Sequence, residues 1–346
     1  MPVSTVTVLG GGSFGTVIAN IIAENGNRVN FWMRSKELVD EVNRSHENPQ
    51  YLPGYQLHEN VVAFHDMGAA VSNSDIVFVA VPSAYFRQVV RDMLPWCRPD
   101  TILVSTTKGI ESGTFKLMSQ ILRQEAPGAR IGVMSGPNLA KEIAARNLTG
   151  TVIASEHVSV RESVQLVLKS EYFRVYTNDD MFGVELGGAL KNIYAIIAGL
   201  ASAMGMGHNT NSMLVTRSLT EMARLGRRLG ADPMTFLGLS GVGDLIVTCS
   251  SPLSRNFRVG MGLGKGLSVE EAVAEVGQVA EGVNTLQQVK HRADELDVYM
   301  PLVNGLYQII YNGSSVRNIV ASLMLGEQAL DVEYEANQTK TLNPKE

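Results

Sequence analysis

Val6-Thr7-Val8-Leu9-Gly10-Gly11-Gly12-Ser13-Phe14-Gly15-Thr16-Val17-Ile18-Ala19 decides the fold. The run Val3 to Leu9 alternates and is rich in β-branched residues, which predicts a strand. Thr16 to Ala23 reads as a helix with an apolar face. Between them stands Gly-x-Gly-x-x-Gly. Gly10 permits the tight turn, Gly12 lets the backbone approach a pyrophosphate, and Gly15 lets the helix pack close to the strand. Backbone N–H groups at the helix start, around Ser13 and Phe14, and the helix dipole then face two negative phosphates. Such a pattern alone also serves as a plain turn. Strand, turn and helix in register point instead to a dinucleotide.

Arg28 to Met33 reads as a second strand and completes a βαβ unit. An acid after it would bind a ribose 2′-hydroxyl, whereas an arginine suits a 2′-phosphate. The chain has Arg34-Ser35-Lys36 there, with no acid before Glu37. Two cations and a hydroxyl favour NADP(H), with NAD(H) as the other candidate. In isolation the same residues would read equally well as a solvated loop.

Length and composition set the bounds. A chain of 346 residues exceeds one ordinary core and suggests two domains. Apolar content of 45% with 18% charged residues fits a globular protein with a large core. A net charge of −5 offers no global basic field for nucleic acid or an acidic membrane. Cys97 and Cys249 are far apart, which argues against a disulfide framework and suits a reducing, cytoplasmic setting. The start, Met1-Pro2-Val3-Ser4, lacks the basic region of a signal peptide. The apolar stretch Ile193 to Gly207 is too short and too punctuated for a membrane span. The six histidines show no metal-ligand spacing, so no metal is expected and lysines must polarise any substrate. Assembly is open, with a homodimer one possibility.

Further buried strands are expected at Asp75–Val81, Thr101–Ser105, Ile131–Met134, Thr151–Ser155 and Phe173–Thr177. Helical segments such as Ala84–Leu94 and Thr114–Glu125 separate several of them. This alternation predicts an α/β, doubly wound, Rossmann-like and mostly parallel sheet over residues 1–180. From Asp179 the strand signal stops. Leu186, Leu190, Ile193, Ile197, Leu200 and Met204 form a stripe at helical spacing, and Val215, Leu219, Met222 and Leu229 repeat it. An all-α substrate domain is therefore expected over 181–337, and 338–346 reads as a loose polar tail.

Several short segments stand out: Thr107-Lys108-Gly109-Ile110, Ser135-Gly136-Pro137-Asn138-Leu139-Ala140-Lys141-Glu142, Gly187-Gly188-Ala189-Leu190-Lys191-Asn192, Gly241-Val242-Gly243-Asp244-Leu245, Ser254-Arg255-Asn256 and Val279-Ala280-Glu281-Gly282. Lys191 lies beside the apolar stripe, with Gly187 and Gly188 on its face leaving room for a ligand. It reads either as a lysine that snorkels to solvent or as a cleft lysine whose pKa falls toward neutrality, which suits proton transfer. Lys108 follows a strand at the carboxyl edge of the sheet, where ligands bind. Asn138 and Asp244 could equally be helix caps, and Ser254 could cap a helix that exposes Arg255.

With the glycine turn, this set in this order resembles the bacterial-type NAD(P)-dependent glycerol-3-phosphate dehydrogenases, from about residue 5 to 325. The resemblance implies hydride transfer between NAD(P)H and a triose phosphate, interconverting dihydroxyacetone phosphate and sn-glycerol 3-phosphate for phospholipid synthesis. It implies Lys191 as the general acid/base and Asp244 as the group orienting it. Lys108 would contact cofactor and substrate. Gly136, Asn138, Ser254, Arg255 and Asn256 would bind the substrate. Ala140, Arg255, Val279 and Glu281 would reach the cofactor, Glu281 by accepting from the nicotinamide carboxamide, alongside the Arg34 read above from its place after the second strand. Family members commonly carry Ser or Thr where Asn138 stands. Two other readings stay open: a related dehydrogenase of another hydroxy acid or sugar phosphate, and a non-enzymatic NADP(H)-binding redox sensor.

Overall fold

The β-branched run at the start forms β1 (Thr5–Leu9), flanked in space by β2 (Arg28–Trp32) and β6 (Ile76–Val79). The computed structural model describes residues 4–325. The other strands are β3 (Glu47–Asn48), β4 (Leu52–Gln56), β5 (Val61–Phe64), β7 (Ile102–Ser105), β8 (Arg130–Ser135), β9 (Thr149–Ala154) and β10 (Phe173–Asn178). Eight of them build one sheet in the order β10-β9-β8-β7-β6-β1-β2-β5, while β3 and β4 pair as a separate antiparallel hairpin. Strand order reverses at β1, which puts the crevice for a ligand beyond its carboxyl end. Every residue of β6 and β7 is buried, as expected of strands covered on both faces. Within the sheet β8 and β9 run antiparallel.

The layers beside the sheet are α1 (Ser13–Glu24), α2 (Lys36–Ser45), α3 (Met67–Val71), α4 (Ser83–Met93), α5 (Met118–Glu125), α6 (Ala140–Ala144) and α7 (Val158–Leu168). The helix expected from Thr114 starts only at Met118. Phe115 takes a left-handed φ of 56°, and Ile110 bridges Leu117, so the segment is a closed loop. The sequence reading also missed β5 and the β3–β4 hairpin.

After β10 the chain is helical: α8 (Met181–Ala203), α9 (His208–Arg228), α10 (Asp244–Ser250), α11 (Arg255–Gly264), α12 (Val269–Val276), α13 (Glu281–Glu295), α14 (Pro301–Asn312) and α15 (Val316–Leu325). In the predicted stripe Leu186, Leu190, Ile193 and Leu200 are buried, while Met204 falls just past the helix and is exposed. Among the described residues α8 alone is long and apolar enough to cross a membrane, but 83% of that window is buried inside the protein. It is the central core helix, against which α9, α10, α11 and α13 pack.

Glycines set the closest of these contacts. A Cβ on Gly260 of α11 would lie 1.9 Å from the Ile196 carbonyl, and one on Gly199 of α8 would lie 2.0 Å from that of Phe257. The two helices therefore touch backbone to backbone. This brings the start of α11 beside the residues that follow Lys191. Of the expected segments, Val3, residues 326–337 of the helical domain and the tail 338–346 lie outside the described residues.

Candidate active site

The glycine turn takes the shape its sequence implies. Gly10 has φ +122°, and a Cβ there would lie 2.4 Å from the Ala80 carbonyl. A Cβ on Gly15 would lie 2.1 Å from the Gly10 carbonyl, so α1 packs directly on the turn. Gly12, in contrast, faces open space, with nothing within 4 Å of an added Cβ. The first N–H groups of α1 lack intrahelical partners, which suits an anion. Phe14 and Ala140 both pack on the core cluster beside the turn.

The hairpin fixes this cradle. Asn48 is fully buried and donates through Nδ2 to the Gly11 carbonyl and to Thr16 Oγ1, both at 2.8 Å. Its Oδ1 has no hydrogen-bond partner among the described residues. Ser13 Oγ donates to the Tyr51 carbonyl at 2.8 Å, so this hydroxyl serves the hairpin and leaves the backbone to face a ligand. With an open approach, free helix-start N–H groups and an orphaned amide oxygen nearby, these residues fit a dinucleotide.

Arg34 and Lys36 are exposed just beyond β2. The Arg34 guanidinium carbon lies 6.0 Å from the Tyr85 ring centroid, so the charge stands over the crevice edge on the α4 side. Ser35 is the N-cap of α2, accepting from Leu38 N–H at 3.1 Å. Its hydroxyl is thus committed to capping, whereas the sequence reading had grouped it with the two cations.

The centre of the site is one carboxylate between two ammonium groups. A π-helical turn, Leu239–Gly243, leads into α10 and sets Asp244 at its first position. Asp244 is 1% exposed and does not cap the helix. Its Oδ2 lies 2.5 Å from Lys108 Nζ and its Oδ1 2.9 Å from Lys191 Nζ. Lys108 comes from the loop after β7, Lys191 from mid-α8 and Asp244 from α10, so the sheet edge and the helical half meet here. With both lysines protonated the triad carries a net +1 in a buried setting. Such a group attracts an anionic oxygen. Lys108 also donates to the Gly136 carbonyl at 2.8 Å. Burial pulls its ammonium from the usual 10.5 down to about 8, against the opposing pull of Asp244, with the Lys191 charge lowering it further.

Gly187 and Gly188 do not leave room for a ligand, contrary to the sequence expectation. A Cβ on Gly187 would lie 2.8 Å from the Ser240 carbonyl, and one on Gly188 2.5 Å from Ser135 Oγ. Protein fills both gaps. The glycines let the π-turn and the end of β8 close on α8, which is what brings Asp244 and Lys108 to Lys191.

Beside the triad runs a chain of amides. Asn192 Nδ2 donates to the Lys108 carbonyl at 3.3 Å, Asn256 Nδ2 donates to Asn192 Oδ1 at 2.9 Å, and Gly282 N–H donates to Asn256 Oδ1 at 3.0 Å. It ties the sheet-edge loop to α8, α11 and α13. Ser254 is the N-cap of α11, accepting from Phe257 N–H at 3.2 Å. Arg255 beside it is exposed and makes no ion pair among the described residues. Glu281, the first residue of α13, accepts from Ser83 N–H at 2.9 Å and from Ser83 Oγ at 2.5 Å. Val279 precedes it on the surface.

Asn138 is not the cap of α6, which falls at Leu139. Its amide accepts from Thr151 Oγ1 at 2.9 Å and donates to the Gly150 carbonyl at 3.3 Å, so β9 holds both of its ends. Sequence reasoning also missed Thr248. Its Oγ1 accepts from Lys191 Nζ at 2.6 Å and donates to the Asp244 carbonyl at 2.5 Å. The i, i+4 spacing of Asp244 and Thr248 on a helix was the available signal.

The N-terminal model of the NAD-dependent glycerol-3-phosphate dehydrogenase family matches residues 5–161, and the C-terminal model matches 180–321. An NAD(P)+ glycerol-3-phosphate dehydrogenase of Saccharophagus degradans is 57% identical over 331 residues, 96% of this chain and 92% of that protein. The crystal structure of the glycerol-3-phosphate dehydrogenase of Coxiella burnetii superposes with a TM-score of 0.90 at 35% identity, covering 94% of this chain and 99% of that one. That of Saccharomyces cerevisiae gives 0.82 at 28% identity, covering 92% and 99%. The two matched models span both the strand-rich half that carries the glycine turn and the helical half that carries Lys191 and Asp244, and the chain belongs to the NAD-dependent glycerol-3-phosphate dehydrogenase family.

Proposed function

We propose that the chain reduces dihydroxyacetone phosphate to sn-glycerol 3-phosphate, and catalyses the reverse oxidation, with NADP(H) preferred over NAD(H). The observation that carries this reading is the convergence of Lys108 and Lys191 on Asp244 at the sheet's carboxyl edge. A nicotinamide cofactor held at the glycine turn would supply the hydride for C2. Lys191 Nζ gives its proton to the carbonyl oxygen as the alkoxide forms and takes it back in the oxidation. Lys108 stabilises that developing charge. Asp244 and Thr248 hold Lys191 in line. Arg255 grips the phosphate with its planar fork, helped by Ser254 and Asn256, while Gly136 and Asn138 border the triose. Glu281 accepts from the carboxamide N–H, with Val279 beside it and Ala140 keeping the cofactor's path clear.

The preference for NADP(H) is supported by Arg34 and Lys36, exposed just beyond β2 with no acid before Glu37, since cations after the second strand suit a 2′-phosphate. Residues 1–180 form the dinucleotide-binding domain and 181–337 the substrate-binding domain, with Lys108, Gly136 and Asn138 reaching the substrate from the first and Val279 and Glu281 the cofactor from the second. The product supplies phospholipid synthesis in the cytoplasm. NADPH oxidation with dihydroxyacetone phosphate, repeated with NADH, tests the reading: turnover with both, and a lower KM for NADPH, is expected. No turnover with either, or a lower KM for NADH, overturns the corresponding part.

A further inference from the structure

Ser83 opens α4 behind Pro82, which gives the helix no side-chain cap. The first N–H groups of a helix need an outside acceptor. Here the acceptor comes from the helical half, 198 residues away. Glu281 Oε1 takes the Ser83 N–H and Oε2 takes the Ser83 hydroxyl. Glu281 also opens α13, so one carboxylate sits at the positive ends of two helices, one from each half of the chain.

The surroundings are built around this pair. A Cβ on Gly109 would lie 2.6 Å from Ser83 Cβ and 3.1 Å from Glu281 Oε2. Gly109 follows Lys108 of the triad, so only glycine lets the triad loop, α4 and α13 meet at one point. This accounts for the glycine of the Thr107-Lys108-Gly109 segment on packing grounds.

We infer that Ser83 is a positioning residue for the nicotinamide end of the cofactor, holding the Glu281 carboxylate in the orientation that receives the carboxamide. The inference rests on the reading of Glu281 given above. Each carboxylate oxygen takes one bond from Ser83 and keeps a further acceptor site for the carboxamide N–H. Without the hydroxyl only the Ser83 N–H bond to Oε1 remains, so the carboxylate swings about that one bond and the Oε2 acceptor is no longer preorganised. The adenosine end, out by Arg34, is untouched.

The test is fluorescence titration of the full-length enzyme with NADPH and with 2′,5′-ADP, which lacks the nicotinamide. Ser83→Ala is expected to weaken NADPH about tenfold, the scale of one charge-assisted hydrogen bond. It should leave 2′,5′-ADP within about twofold of wild type, and Ser83→Thr should restore NADPH binding. Gly109→Ala, which crowds the pair without removing a donor, should show the same selective loss. Unchanged NADPH binding in both variants overturns the inference, as does an equal loss for both ligands, which would mark a fold effect. Glu281→Ala separates the two levels. If it weakens NADPH while Ser83→Ala does not, Glu281 keeps its assigned role and only Ser83 loses its own. If it leaves NADPH unchanged, the reading of Glu281 fails and the inference with it.

Discussion

Asp244→Asn keeps the shape of the triad and deletes its negative charge. The carboxylate is 1% exposed and lies 2.5 and 2.9 Å from two ammonium groups. Removing one partner of a buried ion pair costs about 3–5 kcal/mol, because the remaining charge is stranded. A pKa unit is worth about 1.4 kcal/mol, so the protein recovers much of this loss by releasing a proton. Lys108 is the group that gives way, since burial already holds it at about 8 and Asp244 is what pulls it upward. Without that pull it falls further below its wild-type value. The wild type should then lose reductive turnover as pH rises through about 8, while the variant loses it at a lower pH. Thermal unfolding supplies the second readout. The destabilisation comes from two charged lysines, so it is largest below the lowered pKa and shrinks as pH rises. The assay is the pH profile of NADPH oxidation with dihydroxyacetone phosphate, with melting curves at both ends of the range. Wild-type stability and an unmoved profile in Asp244→Asn would refute the electrostatic account.

Arg34→Asp removes the 2′-phosphate partner and adds repulsion, so NADPH should weaken far more than NADH in direct binding; equal weakening would make Arg34 a surface charge only. Arg255→Ala should raise the KM for dihydroxyacetone phosphate strongly and lower turnover, yet matter little for unphosphorylated dihydroxyacetone. The same slowing for both substrates would move the phosphate grip elsewhere, with Lys108 next in line. Glu185 accepts from Ser119 N–H and Oγ at the start of α5, and burial raises its pKa to about 7 from 4.5. The native state therefore binds this proton more tightly than the unfolded chain, and stability falls as pH rises from about 4.5 to 7. Glu185→Gln, neutral throughout, should melt above wild type at about pH 8 and close to it at about pH 5; a gap that does not change with pH would contradict this.

The glycine turn, the order of buried strands and the long core helix were legible because each leaves a pattern in adjacent residues. Buried strands such as Ile76–Val79 read as continuous apolar runs. The same property hid the sense of β9, since a run buried on both faces looks alike in either direction. The β3–β4 hairpin was invisible because Glu47–Asn48 is two residues long and Leu52–Gln56 contains Pro53 and Gly54. Asn48 and Ser83 escaped notice for a related reason: each acts on a partner far away in the chain, and nothing local marks it. The residues around Asp244 alone left it as readily a cap as a partner of Lys191; the resemblance pointed to the partner, and the π-turn is what delivers the carboxylate between the two lysines. Gly187 and Gly188 were noticed for the wrong physical reason, since a missing Cβ reads the same whether protein or ligand fills the space.

The most direct test of the account is Lys191→Met, assayed for turnover and, separately, for NADPH affinity. Lys191 is 7% exposed, paired with Asp244 and bonded to Thr248, and methionine keeps the length of its stem without the ammonium. The account predicts a loss of turnover on the order of a hundredfold to ten-thousandfold, with NADPH binding close to wild type. Near-normal turnover in a folded Lys191→Met protein would contradict it.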